Sequence, residues 1–223
     1  MGWSCPIAGR DWQVALGNFN ASSPYNYTIL DGFFEPEACR RLHRELLDHP
    51  DWKKQLHGDQ FLFNLMRPKL PAIDQIAQQV MASCPEFFSG YRLLDHWVLL
   101  YPVDAPRKVH SDVGRLTLNI WMTPDEANLA PERGGLVFYD VKRPDPKHPE
   151  ANSPYSWSDQ FLNDHTLGSS ETVSYRWNRA VLFDARTFHQ TDELLFTNEG
   201  ISCFRMNLSL TFDDEAASAR VVG

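Results

Sequence analysis

Two stretches in the first half of the chain repeat apolar residues with the period of a helix. In the first, near residues 36–47, Ala38, Leu42 and Leu46 recur every four positions, and arginines fill much of the opposite face. The second, near residues 71–84, repeats this pattern. Each begins with a proline, which is tolerated there because the first N–H groups of a helix have no partner within the helix. We predict two amphipathic helices that each pack one face against a core.

From residue 94 onwards the pattern changes to short runs of β-branched, aromatic and leucine residues, separated by Pro, Gly and Asp. The predicted strands are 96–101, 116–122, 135–141, 172–177, 179–185 and 203–212, with an earlier one at 27–30. Helices followed by strands is the order of an α+β protein, and short strands at this spacing are typical of an antiparallel sandwich or barrel. We therefore expect a mainly β core with helices packed on its outside.

The last predicted strand alternates between polar and apolar residues. One face carries Arg205, Asn207, Ser209 and Thr211, and the other carries Phe204, Met206, Leu208, Leu210 and Phe212. If the polar face lines the interior of a barrel, Arg205 is a buried cation that needs an anionic partner. A bound carboxylate would match its guanidinium bidentately. The alternative is that this face is solvated.

The remaining segments set the domain organisation. Residues 1–26 are rich in Gly, Asn, Ser and Pro and are expected to form an irregular arm. Residues 27–212 have no break that would leave two independent cores, so we expect a single domain. The long connection 142–170 contains several prolines, and connections of this length are usually either functional lids or mobile segments. The polar residues 213–223 are expected to form a frayed tail.

Composition excludes several function classes. The chain has 223 residues with 43% hydrophobic and 22% charged residues, which is typical of a globular protein. A net charge of -8 disfavours a nucleic-acid or anionic-membrane surface. The four cysteines are scattered, so neither a zinc site nor a disulfide framework is indicated. With no leader-like or membrane-spanning apolar stretch, we expect a soluble, cytoplasmic protein; the oligomeric state is left open.

A candidate metal site begins at His110-Ser111-Asp112. On an extended segment these two side chains point to the same face, because the strand period is two. The best third ligand is His189, which follows the apolar run 180–183 closely, as no other histidine of the chain does. Two histidines and one carboxylate leave open positions on a metal, as in non-haem iron(II) oxygenases.

These motifs carry a resemblance to a known family when they are read in order along the chain. Tyr101 is followed by His110-x-Asp112, an alternating strand, a Gly134-Gly135 step, His189 after Val181-Leu182-Phe183-Asp184, and Arg205 in the last strand. This order resembles that of the iron(II)- and 2-oxoglutarate-dependent dioxygenases, in particular their prolyl-hydroxylase-like branch, over roughly residues 27 to 212.

The resemblance implies a double-stranded β-helix, which is a cupin-like jelly roll flanked by N-terminal helices. It also implies that His110, Asp112 and His189 hold Fe(II) and are the catalytic centre, and that O2 is consumed. Arg205 and Tyr101 would bind the distal carboxylate of 2-oxoglutarate, with Asn119 a further contact to the co-substrate or substrate. Two features depart from many members: Arg205 comes sixteen positions after His189, and Asn207 stands where a serine often follows.

The resemblance further implies hydroxylation of an unactivated C–H bond, with release of succinate and CO2. Asp112 favours this over halogenation, because related halogenases have a small residue there that leaves room for halide. Desaturation and cyclisation stay open. The expected substrate is a small polar metabolite, an amino acid or a peptide side chain. Candidate contacts to it are Arg115, Trp121, Arg186 and Trp157.

Two other functions are compatible with the sequence. A cupin-type metalloenzyme would use the same three ligands without 2-oxoglutarate, but it would leave Arg205 without a role. A non-catalytic jelly-roll module would instead grip a sugar or peptide with the aromatic residues Tyr155, Trp157 and Phe161 of the 142–170 connection.

Overall fold

The structure of the protein, a computed structural model, describes residues 7–214 apart from residues 103, 104, 106, 146, 147, 150 and 152. Residues 1–6 of the expected arm and residues 215–223 of the expected tail therefore lie outside the described residues.

Five α-helices and ten strands make up the described part of the chain. The helices are α1 Trp12–Ala21, α2 Pro36–Leu47, α3 Pro71–Ser83, the single turn α4 Pro85–Phe88, and α5 Asp159–His165. The strands are β1 Tyr27–Leu30, β2 Lys53–His57, β3 Gln60–Met66, β4 Tyr91–Tyr101, β5 Leu116–Trp121, β6 Leu136–Lys142, β7 Ser170–Val173, β8 Ala180–Asp184, β9 Thr187–Thr191 and β10 Arg205–Asp214. No helix among the described residues is long and apolar enough to cross a membrane.

The strands form two antiparallel sheets that face each other. The large sheet has the order β1-β8-β5-β10-β4-β3-β2, and the small sheet has the order β7-β6-β9. Strand β10 pairs with β4 on one side and with β5 on the other, so the last strand of the chain lies at the centre of the large sheet. This confirms the predicted jelly roll with helices at its N-terminal side.

Helices α1 to α4 cover the outer face of the large sheet, and the small sheet covers part of its inner face. The outer layer buries the apolar residues of β10, such as Met206 and Leu210, against α2 and α3. The inner layer packs Trp121 and Phe183 of the large sheet against Phe138 of the small sheet. The polar face of β10 therefore points into the space between the sheets and is not solvated. Arg205, which lies on this face, is thus a buried cation that needs an anionic partner.

The expectation of an irregular arm over residues 1–26 is wrong for α1. Asp11 caps this helix by accepting hydrogen bonds from the N–H groups of Gln13 and Val14. The helix contains a glycine and two asparagines and buries only Ala15 completely, so neither propensity nor a broad apolar stripe indicates it.

Four strands of the sheets also differ from prediction. The hairpin of β2 and β3 is absent from the predicted strands, because β2 is exposed along nearly its whole length and lacks an apolar alternation. The predicted strand at 172–177 is instead Ser170–Val173. Residues 187–191 form a separate strand, β9, so His189 lies within a strand rather than in the loop after one. The connection 142–170 contains α5.

Candidate active site

Backbone pairing brings the three predicted metal ligands together. His110 and His189 form an antiparallel bridge, in which each N–H donates to the other residue's carbonyl at 2.9 and 2.8 Å. The N–H of Asp112 donates to the carbonyl of Ala185, at 2.8 Å, in the turn between β8 and β9. The segment that carries His110 and Asp112 is thus fixed along the strand that carries His189.

The three side chains converge on one point. One ligand atom from each of His110, Asp112 and His189 can be chosen so that all lie within 4.8 Å of one another. The Nε2 atoms of His110 and His189 lie 3.7 Å from Oδ1 and Oδ2 of Asp112, respectively. Each Nδ1 lies 2.9 Å from a backbone carbonyl, that of Lys108 for His110 and that of Thr187 for His189. Since a carbonyl only accepts, Nδ1 carries the proton and the lone pair of Nε2 points towards the common centre.

The surroundings favour the charge states that a metal requires. Burial, followed by repulsion from His110, lowers the pKa of His189 to about 4, so this ring is neutral at neutral pH. The hydroxyl of Thr117 donates to Oδ2 of Asp112 at 2.8 Å, and Nη2 of Arg143 donates to the Asp112 carbonyl at 3.1 Å. These two contacts hold the carboxylate and its backbone from behind. His110 is half-exposed, so one side of the cluster is open.

A buried cation lies at the other end of the same cleft. Arg205 is 1% exposed, and its guanidinium donates to the carbonyls of Gly134 and Gly135 and to Oδ1 of Asn207. Its Cζ lies 5.3 Å from the ring centre of Tyr101 and 5.5 Å from that of Trp121. All of these partners are neutral.

No described aspartate or glutamate forms an ion pair with this cation. The buried carboxylate of Asp192 attracts it only across a longer distance, and burial, which is the larger effect, lowers the pKa of the Arg205 guanidinium. Two further buried polar atoms nearby lack a hydrogen-bond partner, Oδ1 of Asn119 and Nε1 of Trp121. An unpaired charge of this kind is costly, so the pocket is suited to a ligand that brings a carboxylate.

The structure brings together six of the residues named by the sequence. His110, Asp112, His189, Arg205, Tyr101 and Asn119 all line one cleft between the two sheets. Trp97, Leu99, Leu136 and Thr191 line it as well and were missed by the sequence analysis. Leu99 and Trp97 lie two and four positions before Tyr101 on β4, so the three side chains are on the same face of the strand. This spacing could have indicated them from the sequence.

The four residues expected to contact substrate have other partners. Arg115 pairs with Asp145, and Arg186 pairs with Asp184 and Asp145. Trp157 lies against Arg143, whose Cζ is 3.6 Å from its ring centre, and its Nε1 donates to a backbone carbonyl. Trp121 is fully buried and stacks on Tyr175. None of the four is among the residues that line the cleft.

Comparison with known proteins identifies the fold. No protein-family model matches the sequence, and no curated protein matches it. Among solved structures, the chain is similar to the epimerase SnoN from nogalamycin biosynthesis, which was crystallised in complex with Fe3+, alpha ketoglutarate and nogalamycin RO. The TM-score is 0.63 and the sequence identity is 20%, and the match covers 91% of this chain and 84% of that one. HygX from Streptomyces hygroscopicus with nickel, 2-oxoglutarate and hygromycin B bound has a TM-score of 0.62 at 12% identity, over 91% and 87% of the two chains.

A prolyl-4-hydroxylase from Pseudomonas putida is also similar, with a TM-score of 0.56 and 15% identity over 88% of this chain and 97% of that one. The predicted resemblance to iron- and 2-oxoglutarate-dependent enzymes is therefore confirmed at the level of the fold. At these identities, the function of this chain has to be argued from its own site.

Proposed function

We propose that this protein is an Fe(II)- and 2-oxoglutarate-dependent oxygenase. The observation that carries the proposal is a single cleft that holds both a His-Asp-His cluster and a buried arginine that forms no ion pair with any described residue. The first feature suits a divalent metal with open coordination positions, and the second suits a carboxylate ligand. A metal site alone would explain only the first.

The residues of the cleft have distinct roles in this proposal. His110, Asp112 and His189 would hold the iron, and Arg205 would bind the distal carboxylate of 2-oxoglutarate, assisted by Tyr101. The unpaired amide oxygen of Asn119 faces the same cleft and is a further contact. When bound, iron and 2-oxoglutarate supply the oxidation of the substrate by O2, with release of succinate and CO2. The protein contributes by orienting these groups and by excluding bulk water.

The reaction that we propose is hydroxylation of a C–H bond in a small polar metabolite, an amino acid or a peptide side chain. The carboxylate of Asp112 supports this, because it would fill the coordination position that related halogenases leave free for halide. The similar structures include an epimerase and a carbocyclase as well as a hydroxylase. Product analysis has to separate these outcomes once a substrate is known.

The two rival functions fit the site less well. A cupin-type enzyme that does not use 2-oxoglutarate leaves Arg205 buried without a ligand. A binding module that uses the aromatic residues of the 142–170 connection would need them exposed together. Instead, Phe161 is buried and stacks on His165, and Trp157 packs on Arg143.

The test is anaerobic addition of Fe(II) and 2-oxoglutarate, followed in the visible spectrum. The proposal predicts a weak charge-transfer band in the wild-type protein that is lost in Asp112→Ala and strongly reduced in Arg205→Met. The exposed Arg67, which pairs with Asp95 away from the cleft, provides the control Arg67→Met, which should keep the band. No band in the wild type, or an undiminished band in Asp112→Ala, would refute the proposal. Succinate release against pools of metabolites, amino acids and peptides then identifies the substrate.

A further inference from the structure

A second cleft opens directly beside the metal cluster. It shares Leu99, Tyr101, His110 and Thr191 with the first cleft, which contains the candidate metal-binding residues and Arg205. Its other lining residues are Gln55, His57, Leu62 and Lys108. Its cavity volume is about 340 Å³, which is at the lower end of the range of sites for small molecules. His110 lies at the junction of the two clefts, so a molecule in the second cleft is adjacent to the metal ligands.

The hairpin of β2 and β3 forms the outer wall of this cleft. Gln55 of β2 pairs with Leu62 of β3, and Asn64 of β3 pairs with Leu99 of β4. The side chains of these four residues therefore project from one face of the large sheet. This is the face that, further along the sheet, covers the metal cleft. On this face of the hairpin Gln55 is exposed, whereas Leu62 is largely buried and lies at the base of the cleft.

The cleft combines an apolar wall with a basic rim. Leu62 and Leu99 supply apolar surface, whereas the side chain of Lys108 is exposed at the rim and makes no ion pair with any described residue. None of the described lining residues is acidic. On a chain with a net charge of -8, such a region is distinct from the average surface and attracts anions locally.

We infer that this cleft is the substrate site and that it selects a small molecule with an apolar body and a carboxylate. This inference rests on the proposed function and names the substrate class of the same site. The apolar body lies along Leu62 and Leu99, and the carboxylate faces Lys108. Gln55 and His57 offer hydrogen bonds to further polar groups of the ligand. The part of the molecule that reaches His110 presents the reacting C–H bond.

The role of Lys108 is separable from that of the metal site. Only its backbone carbonyl contacts the His110 ring, so changing the side chain leaves that hydrogen bond in place. Lys54 is a matched control, because it lies on the opposite face of the hairpin, with its Nζ 4.0 Å from the ring centre of Phe61. A change of charge at Lys54 alters the net charge equally without altering the cleft.

The experiment is a calorimetric titration with three probes of equal shape: 3-phenylpropionate, 3-phenylpropylamine and 3-phenylpropanol. The protein is first saturated anaerobically with Fe(II) and 2-oxoglutarate, so that the carboxylate probe does not compete for Arg205. The same titrations are repeated without iron and 2-oxoglutarate. The quantity compared is the ratio of carboxylate to amine affinity within each variant, which does not depend on the fraction of protein that is folded.

We expect the wild-type protein to prefer the carboxylate. Lys108→Gln should reduce that preference by about two- to fivefold, the range of a partly exposed ion pair, and Lys108→Glu should reverse it. Lys54→Glu should leave the ratio unchanged. An unchanged ratio in Lys108→Glu, a wild-type preference for the amine, or no binding of any probe overturns the inference. The proposed function stands in each of these cases if the charge-transfer band forms. Conversely, the charge-transfer band could be missing while the carboxylate-to-amine ratio reverses in Lys108→Glu. That result would refute the proposed function but support an anion-binding cleft.

Discussion

Replacement of Arg205 by methionine separates a ligand-binding arginine from a structural one. The guanidinium is 1% exposed and hydrogen-bonds only to neutral acceptors. If its anionic partner is a bound co-substrate, the free protein carries an uncompensated charge in its interior. A methionine side chain at this position would fill a similar volume without that charge, so we expect the free protein to tolerate Arg205→Met while it loses 2-oxoglutarate.

The magnitudes follow from opposing contributions. Burying an unpaired ion costs several kcal/mol, and its hydrogen bonds to Gly134, Gly135 and Asn207, which come from a charged donor, return about 1.5–3 kcal/mol each. These contributions nearly cancel, so the unfolding free energy of Arg205→Met should lie within roughly 2 kcal/mol of the wild-type value. Affinity for 2-oxoglutarate should fall by about 2–5 kcal/mol, or roughly 30- to 5,000-fold, because the ligand's carboxylate is then left unpaired.

Two assays measure these effects: urea unfolding of the free protein, and calorimetric titration of the Ni(II)-loaded protein with 2-oxoglutarate. Arg179→Met is the matched control, since Arg179 is also buried but forms an ion pair with Asp31 that includes an Nη2–Oδ2 hydrogen bond of 3.0 Å. It should lose roughly 1–2 kcal/mol of stability and keep its 2-oxoglutarate affinity. Normal 2-oxoglutarate binding by Arg205→Met, together with a larger loss of stability than in Arg179→Met, would refute the ligand-binding role of Arg205.

Three further predictions follow from individual contacts. Thr117→Val removes the hydrogen bond to Asp112 and should weaken Mn(II) binding by about 10- to 100-fold in a calorimetric titration; unchanged affinity would show that the hydroxyl does not orient the carboxylate. Burial lowers the pKa of His43 to about 4 from an ordinary 6.5, so the unfolded chain binds more protons between these values and stability falls as pH drops through this range. His43→Met should remove roughly 2 kcal/mol of the stability difference between pH 7 and pH 5 in urea unfolding, and an unaltered pH dependence would contradict this. In Gly135→Ala the added Cβ would overlap the carbonyl oxygen of Val173 in β7, so the yield of folded protein should collapse. In the control Gly17→Ala, in α1, the added Cβ meets no atom within 4 Å and should raise the thermal midpoint. Similar midpoints for the two variants would be inconsistent with this packing.

The sequence predicts those parts of the fold whose signals are local. Helix α2 begins at Pro36 and ends at Leu47, as the proline and the four-residue spacing indicate. The alternation of apolar and polar residues along β10 identifies its two faces. The apolar face packs under the helices, and the face that carries Arg205 points towards the small sheet. The candidate metal ligands His110 and Asp112 follow from the same strand period, because residues two positions apart point to one face.

Other features depend on contacts that no short segment encodes. Strand β2 is exposed because its inner face lines an open cleft, so its sequence lacks the apolar alternation of a buried strand. Trp157 resembles a ligand-binding aromatic residue, yet it covers Arg143, whose position depends on Asp112. The ion pairs that remove Arg115 and Arg186 from the predicted substrate site likewise involve Asp145, in the connection after β6.

The central claim is that one cleft holds both a metal and a carboxylate co-substrate. The most direct measurement is the anomalous difference density of crystals grown anaerobically with Fe(II) and 2-oxoglutarate. We expect an iron peak bound by His110, Asp112 and His189, with 2-oxoglutarate extending from it so that its distal carboxylate meets the Arg205 guanidinium. An iron peak elsewhere, no peak at these residues, or 2-oxoglutarate bound away from Arg205 would contradict it.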